Sequence, residues 1–238
     1  MRIKTYETTG RKLFFVRHGE RIDNIMPEWR ETASRWDDPY LSNRGHQQAR
    51  EVGAFLEKSG TRVDRIFTSP FTRCIQTMNG ILSGLSDIPE ICVEPGLSES
   101  LNACAKPPGR PSLHEILALC PFTINTDYSP VLTELPAEIG GDEGCAGRVH
   151  QTLHSIIQRF PQGNLLFVSH GSPTASAHQS LFGDWGYVGQ CTLGEVLERD
   201  GKFELLKWGD SSHLSDKTNL RDVQSGENRH PKAIKVTA

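Results

Sequence analysis

The sequence lacks the features that mark several common classes of protein. None of its six cysteines sits in a CxxC pair, so zinc-ribbon and thioredoxin motifs are absent. No apolar run approaches the roughly 20 residues of a membrane-spanning helix, and the first dozen residues contain no apolar core of a signal peptide. We therefore expect free thiols and a cytoplasmic protein without a membrane partner. The same sequence would also fit one domain of a longer protein.

The sequence also lacks a large excess of either positive or negative charge. The formal net charge of −3 gives no general reason to expect nucleic acid or an anionic membrane as a partner. Any basic site must therefore be local and built from a few arginines. With 36% apolar and 23% charged side chains among 238 residues, the composition is that of a globular protein that buries a sizeable core.

Apolar runs and helical periodicity alternate along the chain. Strand signals fall at 12–16, 64–68, 91–94, 164–168, 191–198 and 203–208. Apolar residues spaced three or four apart predict helices over 43–58, 71–85 and 145–160, with a further possible helix over 112–119. This alternation predicts an α/β fold in which a mostly parallel central sheet has helices on both faces of a single domain.

The domain is expected to occupy most of the chain. We predict an N-terminal extension over 1–11, the domain over 12–210, and a polar tail over 211–238 that is either a surface strap or disordered. Two long irregular stretches, 21–41 and 96–140, interrupt the alternation. Loops of this length usually have a task, so we expect them to shape or cover a site.

One short phrase occurs twice. The chain reads LFFVRHG at 13–19 and LLFVSHG at 165–171. Each phrase is an apolar run followed by one polar residue, histidine and glycine, and such a run is typical of a buried parallel strand. Ligands collect beyond the carboxyl ends of these strands. We therefore expect His18 and His170 to face one pocket.

Three arginines lie close to these predicted strand ends. Arg17 and Arg21 flank His18, and Arg73 falls in the first turn of the helix predicted after the second strand. Guanidinium groups present forks of donors that suit phosphate oxygens, and a neutral imidazole can accept a phosphoryl group. The like charges of Arg17 and Arg21 should disfavour protonation of His18 and keep it neutral near pH 7.

A carboxylate follows another predicted strand end. Glu99 lies in the phrase EPGLSES at 94–100. Cleavage of a phosphate ester needs an acid that protonates the departing oxygen, and His170 could donate a hydrogen bond to the phosphoryl oxygens as charge develops on them. From the residues alone, Glu99 fits either this acid or an ordinary carboxylate.

Taken together and in this order, the motifs resemble the histidine phosphatase (phosphoglycerate-mutase-like) superfamily, whose hallmark is the RHG at 17–19. The sequence is most similar to the phosphatase domains of the suppressor-of-T-cell-receptor-signalling proteins. The matching stretches are RHGER at 17–21, LS to QA over 41–49, SP-x-x-RC-x-QT at 69–77, VEPGL-x-E at 93–99, DY-x-P at 127–130 and SHGS at 169–172. The resemblance covers roughly residues 12–210.

The resemblance implies three catalytic residues. His18 would be the nucleophile that accepts the phosphoryl group, Glu99 the proton donor, and His170 a partner of the transferring group. Two neighbours depart from the pattern, because Ser98 stands where the branch has phenylalanine and Ser100 where it has an aromatic residue. We expect these departures to alter the leaving-group side of the pocket. A third departure is Pro173, which we expect to break into the start of a helix after the second histidine phrase.

The resemblance also implies how phosphate is bound. Arg17, Arg21 and Arg73 would hold its oxygens, no metal or other cofactor would be required, and the protein would be a possible homodimer. The site would take a phosphate-monoester substrate.

These expectations converge on a metal-independent phosphomonoesterase of the histidine acid phosphatase type that works through a phosphohistidine. The branch suggests a phosphotyrosine protein or a bulky small-molecule phosphate as substrate. Phosphoglycerate-mutase-type phosphoryl transfer is an alternative, although Arg21 replaces the serine usual in mutases. A catalytically weak phospho-ligand or protein-binding module is a second alternative, and the complete set of candidate residues argues against it.

Overall fold

The computed structural model describes residues 10–223 of the chain. Its sheet has six strands in the order β3-β2-β4-β1-β5-β6. The strands are β1 (Arg11–Arg17), β2 (Arg65–Thr68), β3 (Glu90–Val93), β4 (Leu165–Ser169), β5 (Leu193–Arg199) and β6 (Lys202–Asp210). The first four are parallel, whereas β5 runs antiparallel to β1 and β6 antiparallel to β5. The predicted strands and the mostly parallel α/β fold are confirmed.

Six α-helices lie within the described range. They are α1 (Trp29–Thr32), α2 (Asn43–Lys58), α3 (Thr72–Leu82), α4 (Leu113–Leu119), α5 (Ala146–Arg159) and α6 (Gly171–Phe182). Helix α6 gave no periodic signal, because its first eight residues are all buried and several of them are polar. The expectation that Pro173 disrupts this helix start is wrong. Pro173 lies in the first turn, where the backbone nitrogen has no intrahelical partner to lose. Among these helices, none is long and apolar enough to cross a membrane.

The two faces of the sheet bury separate apolar clusters. Phe14 and Val16 of β1 pack with residues of α2 and α3, whereas Leu13 and Phe15 pack with residues of α5. This division follows from the two-residue period of a strand, which sends successive side chains to opposite faces. The predicted placement of helices on both faces is confirmed.

The neighbouring positions of β1 and β4 bring the repeated phrase together. In the parallel register Arg17 pairs with Ser169, and the backbone N–H of His18 donates to the carbonyl of Ser169 at 2.9 Å. His18 and His170 therefore follow adjacent strand ends. The stretches predicted as irregular, 21–41 and 96–140, contain only short helices and supply residues to the cavity at this edge.

The described part of the C-terminal tail is a strap on the domain surface. Leu214 and Leu220 are buried and join the cluster packed on α2 and α3, and the N–H of Gln190 donates to the carbonyl of Leu220 at 2.8 Å. Residues 1–9 of the predicted extension and 224–238 of the predicted tail lie outside the described residues. The six cysteines are free thiols and all are buried.

Candidate active site

His18 and His170 lie side by side beyond the ends of β1 and β4. Their ring centroids are 5.3 Å apart with the planes inclined at 67°, and both residues are almost completely buried. One nitrogen of each ring lies within 4.8 Å of a Glu99 carboxylate oxygen. The structure therefore brings together the two histidines and the glutamate that the sequence singled out.

The hydrogen bonds of His18 fix its tautomer. Its Nδ1 lies 2.8 Å from the carbonyl oxygen of Gly19, and because a carbonyl oxygen can only accept, Nδ1 must carry the proton. Its Nε2 is buried and has no hydrogen-bond partner. In the neutral ring, this nitrogen keeps a free lone pair.

The pKa of His18 is lowered well below its usual value. Burial is the largest cause, followed by the positive charges of Arg73, Arg17 and Arg21 in that order. The sequence predicted a lowered pKa from Arg17 and Arg21 alone. It missed both the burial and the larger effect of Arg73, which only the folded chain brings beside the ring.

The three predicted arginines and Glu99 line one cavity of about 480 Å³. The buried rings of His18 and His170 lie beside Glu99 but are not among the residues that line this cavity. Arg17 donates through Nη1 to the carbonyls of Val188 and Arg221, at 2.8 and 2.7 Å. Arg21 donates through Nε and Nη2 to the carboxylate of Asp23, at 2.9 and 2.8 Å. In both cases these bonds fix the guanidinium in place.

Arg73 is the most deeply buried of the three. Its side chain is 1% exposed and donates through Nη1 to the carbonyl of Asp37 at 3.1 Å. The carboxylate of Asp38 lies 3.7 Å from the same nitrogen, and Oε2 of Glu99 lies 3.7 Å from Nη2. Asp38 in turn accepts from the backbone N–H of Thr72 at 2.8 Å, which ties it to the start of α3.

His170 is oriented by a serine. Its Nε2 lies 2.7 Å from the hydroxyl oxygen of Ser69, and its Nδ1 lies 3.6 Å from Oε2 of Glu99. Because a hydroxyl both donates and accepts, the Ser69 contact fits either tautomer of the ring. Burial, followed by the charge of Arg73, lowers the pKa of His170 well below its usual value. In the neutral tautomer that accepts from Ser69, His170 donates through Nδ1–H on the side that Glu99 faces.

The same side chains could in principle ligate a metal ion. His18, Glu99 and His170 each offer one donor atom, and imidazole with carboxylate suits several divalent transition metals. The charges of Arg17, Arg21 and Arg73 would oppose a dication at this place. The electrostatic surroundings therefore favour an oxyanion.

Comparison with known proteins identifies the family. The family model of the histidine phosphatase superfamily (branch 1) matches residues 13–211. The chain belongs to this superfamily. The predicted resemblance is thereby confirmed.

Curated relatives of this histidine phosphatase superfamily member extend well beyond the matched region. Human ubiquitin-associated and SH3 domain-containing protein A is 33% identical over 84% of this chain and 37% of the relative. The ecdysteroid-phosphate phosphatase of Drosophila melanogaster is 26% identical over 83% of this chain and 32% of the relative. The chain therefore spans about a third of the length of these relatives. The first relative is one of the suppressor-of-T-cell-receptor-signalling proteins, so the predicted branch of the superfamily is confirmed.

A solved structure supports the fold. The ecdysone phosphate phosphatase of Bombyx mori, in complex with tungstate, superposes with a TM-score of 0.67 at 20% identity, covering 84% of this chain and 93% of the other. At this identity the likeness concerns the fold alone.

Sequence analysis did not identify the residues that keep the predicted site residues in position. Ser69 lies in the SP motif, which the sequence interpretation linked only to the start of α3. Thr77 accepts from the N–H of Gly19 at 3.1 Å, and Arg148 binds the segment that carries Glu99. Only the place of Ser69 and Thr77 inside the SP-x-x-RC-x-QT match at 69–77 could have drawn notice, and Arg148 gave no sequence signal.

The two neighbours of Glu99 that depart from the pattern are buried. Ser98 and Ser100 are both fully buried, and the hydroxyl of Ser100 donates to Glu138 at 3.3 Å. Their effect on the leaving-group side of the pocket stays a prediction.

Proposed function

We propose that the protein is a phosphomonoesterase that transfers the phosphoryl group of its substrate to His18 and then to water, without a metal ion. The observation that carries this proposal is the unpartnered, buried Nε2 of His18, whose lone pair is free because Nδ1–H is bound to Gly19. This nitrogen lies beside His170 and is surrounded by the charges of Arg73, Arg17 and Arg21.

In the first step, the Nε2 lone pair attacks phosphorus and the bond from phosphorus to the leaving oxygen breaks. The leaving oxygen takes a proton from Glu99. The three arginines and Nδ1–H of His170 stabilise the charge on the phosphoryl oxygens. The imidazole becomes positively charged in the phosphohistidine, and the Gly19 carbonyl, which accepts Nδ1–H, stabilises that charge.

In the second step, water attacks phosphorus in place of the alcohol. The Glu99 carboxylate left by the first step takes a proton from this water, the bond from phosphorus to nitrogen breaks, and inorganic phosphate is released. His18 regains its lone pair, so the cycle closes without any other reactant.

We propose a bulky monoester as the substrate, either a phosphotyrosine protein or a small-molecule phosphate. The cavity volume of about 480 Å³ lies in the range of sites for drug-sized ligands. Two relatives named as ecdysteroid-phosphate phosphatases, from Drosophila melanogaster and Bombyx mori, make steroid phosphates one arm of the test.

The activity is tested with a panel of phosphotyrosine peptides, steroid phosphates, sugar phosphates and p-nitrophenyl phosphate. We expect phosphate release from at least one bulky monoester. Rapid conversion of 3-phosphoglycerate to 2-phosphoglycerate would instead favour a mutase. Binding of tungstate with no turnover of any monoester would favour a binding module.

The role of Glu99 is tested by the substitution Glu99→Gln, which removes the proton and keeps the shape. General acid catalysis contributes about 10²- to 10⁴-fold, so kcat/KM, which reports the reaction up to release of the alcohol and excludes hydrolysis of the phosphohistidine, should fall by that order for an alkyl phosphate. The loss should be far smaller for p-nitrophenyl phosphate, since p-nitrophenolate leaves without protonation. Equal losses for both substrates would contradict this role.

A further inference from the structure

Glu99 lies in a segment that belongs to no helix or strand. This segment lies between two short 3-10 helices, Pro95–Leu97 and Leu101–Ala103. The Glu99 carboxylate has one backbone hydrogen bond, from the N–H of Ser100 to Oε1 at 2.9 Å. A proton donor must be held within a fraction of an ångström of its productive position, so the backbone of this segment needs support from elsewhere.

Arg148, in the first turn of α5, supplies that support. Its side chain is completely buried. Nη1 donates to the carbonyls of Gly96 and Ser98 at 2.7 and 2.9 Å, and Nη2 donates to the carbonyl of Glu99 at 3.0 Å. Nε and Nη2 also bind Oε1 of Glu138 at 2.7 and 2.6 Å. The guanidinium therefore makes four hydrogen bonds and one further short ionic contact, all with this segment or with Glu138.

Glu138 holds the other end of the same segment. Its side chain is 1% exposed, and its Oε2 accepts from the backbone N–H of Leu101 at 2.7 Å and from the hydroxyl of Ser100 at 3.3 Å. One buried ion pair, which we call the Arg148–Glu138 clamp, thus binds the backbone before, at and after Glu99.

Burial of an ion pair usually stabilises a fold no better than apolar residues of the same size. The pair here makes five hydrogen bonds to one six-residue segment, 96–101, beyond the contacts between its own members. Neither residue lines the cavity. A pair whose hydrogen bonds are concentrated on one segment is better suited to holding that segment in place than to stabilising the fold in general.

We propose that the Arg148–Glu138 clamp positions Glu99 as the proton donor of the reaction. The inference rests on the proposed phosphatase function and extends it to two residues that touch no substrate. Both are positioning residues. The alternative is that the pair only stabilises the fold, and the two roles differ in how activity depends on the leaving group.

The test is Arg148→Met, with kcat/KM measured for p-nitrophenyl phosphate and for an alkyl phosphate, because this ratio excludes the hydrolysis step that both substrates share. Misplacement by about 1 Å can cost on the order of 10²-fold, so we expect a loss of that order for the alkyl phosphate. For p-nitrophenyl phosphate the loss should stay within about fivefold, because the misplaced group is a proton donor that this substrate hardly needs. Arg148→Lys, with fewer donors and no planar fork, should give an intermediate loss.

Arg159→Met is the matched control. Arg159 lies in the same helix and also donates to a loop carbonyl, that of Ser129 at 2.8 Å, but this carbonyl is remote in sequence from Glu99. We expect no difference between the two substrates for this variant. The double variant Arg148→Met/Glu138→Gln covers the case in which Arg148→Met alone fails to fold, since it leaves no uncompensated buried charge.

Equal losses for both substrates in Arg148→Met and in the double variant would overturn the positioning role while leaving the phosphatase proposal intact. The combination with Glu99→Gln gives a second readout. Once the proton donor is absent, removal of the clamp should cause little additional loss for the alkyl phosphate. If the combined variant instead lost activity by the product of the two single losses, the two substitutions would act independently, and the inference would be contradicted. If the unaltered protein hydrolyses no monoester at all, the proposed function fails, and the inference that rests on it fails as well.

Discussion

His18 and His170 are both fully buried, and burial is the largest cause of the lowered pKa of each imidazole. At the scale of single residues, this burial links the chemistry to stability. The nucleophile needs a neutral ring, and the fold keeps it neutral by withholding water and by placing Arg73 nearby. In the unfolded chain, the same histidines would titrate near their ordinary pKa of about 6.5.

The first prediction concerns the pH dependence of stability. As the pH falls below about 6.5, these two histidines become protonated in the unfolded chain but stay neutral in the folded protein. The free energy of unfolding therefore decreases by up to about 1.4 kcal/mol per pH unit for each histidine. Above that pH the contribution is complete. Chemical denaturation of the unaltered protein and of His170→Asn, at several pH values between 7 and 5, checks this prediction. The variant should show the shallower decline, and identical slopes would contradict the account.

How far the sequence predicted the site depends on the kind of residue. His18, His170 and the three arginines follow apolar strands or begin a helix, and the topology of a parallel sheet alone brings such positions to one edge. The partners that fix them could not be predicted in the same way. Asp23 lies near Arg21 in sequence, but Asp38 and Ser69 reach their partners only through the packing of loops on α3 and β4.

At the scale of elements, helices α2 and α3 pack closely because α2 has a glycine, Gly53, where it faces α3. A Cβ atom built on Gly53 of α2 would lie 2.2 Å from the carbonyl oxygen of Ile81 in α3, far inside van der Waals contact. One built on Gly147 of α5 would have no atom within 4 Å. Both glycines are helical, so these two positions separate helix propensity from packing.

The second prediction is that Gly53→Ala destabilises the protein whereas Gly147→Ala does not. Replacement of a helical glycine by alanine normally gains up to about 1 kcal/mol, and Gly147→Ala should be neutral or gain part of that. At Gly53 the clash with the backbone of Ile81 must push the helices apart, so the free energy of unfolding should fall by about 1–3 kcal/mol. Urea unfolding of both variants tests this contrast, and equal behaviour would count against the packing.

The sequence predicted elements well where one face is buried and poorly where burial is uniform. The spacing of Val52 and Leu56 revealed α2, and the uninterrupted apolar residues of β4 revealed a central strand. Helix α6 is buried around most of its circumference, contains polar residues and carries Pro173, so periodicity could not reveal it.

At the scale of the whole molecule, the strap over 211–223 joins the domain core to the candidate site. Leu214 and Leu220 pack in the apolar cluster, the carbonyl of Arg221 accepts from Arg17 at 2.7 Å, and Arg221 lines the cavity. The strap therefore supports one of the phosphate-binding arginines. The domain boundary at 210 stays a prediction, and it separates the strap from residues that the strap contacts.

The third prediction is that a chain ended at Asp210 loses both stability and affinity for tungstate. Loss of two buried leucines costs several kcal/mol, since each large-to-small change in a core costs about 2–5 kcal/mol. Arg17 also loses a carbonyl partner. A chain ended at Val223 is the control, because it keeps every contact named here. Thermal unfolding and tungstate titration of the two shortened chains test this prediction, which unchanged affinity in the shorter chain would refute.

The predicted homodimer is also a property of the whole molecule. It rests on the resemblance to its branch of the superfamily, and light scattering of the purified chain tests it directly. A mass of one chain at micromolar concentration would contradict it.

The central claim is that His18 carries the phosphoryl group during the reaction. The most direct measurement mixes the protein with a substrate that it turns over, stops the reaction in alkali to preserve the acid-labile phosphorus–nitrogen bond, and locates the phosphoryl group by peptide mass spectrometry. The account predicts one phosphoryl group on the peptide containing His18, and none in His18→Ala, which should also lose turnover by several orders of magnitude. Continued turnover with no phosphohistidine, or a phosphoryl group on another residue, would contradict it.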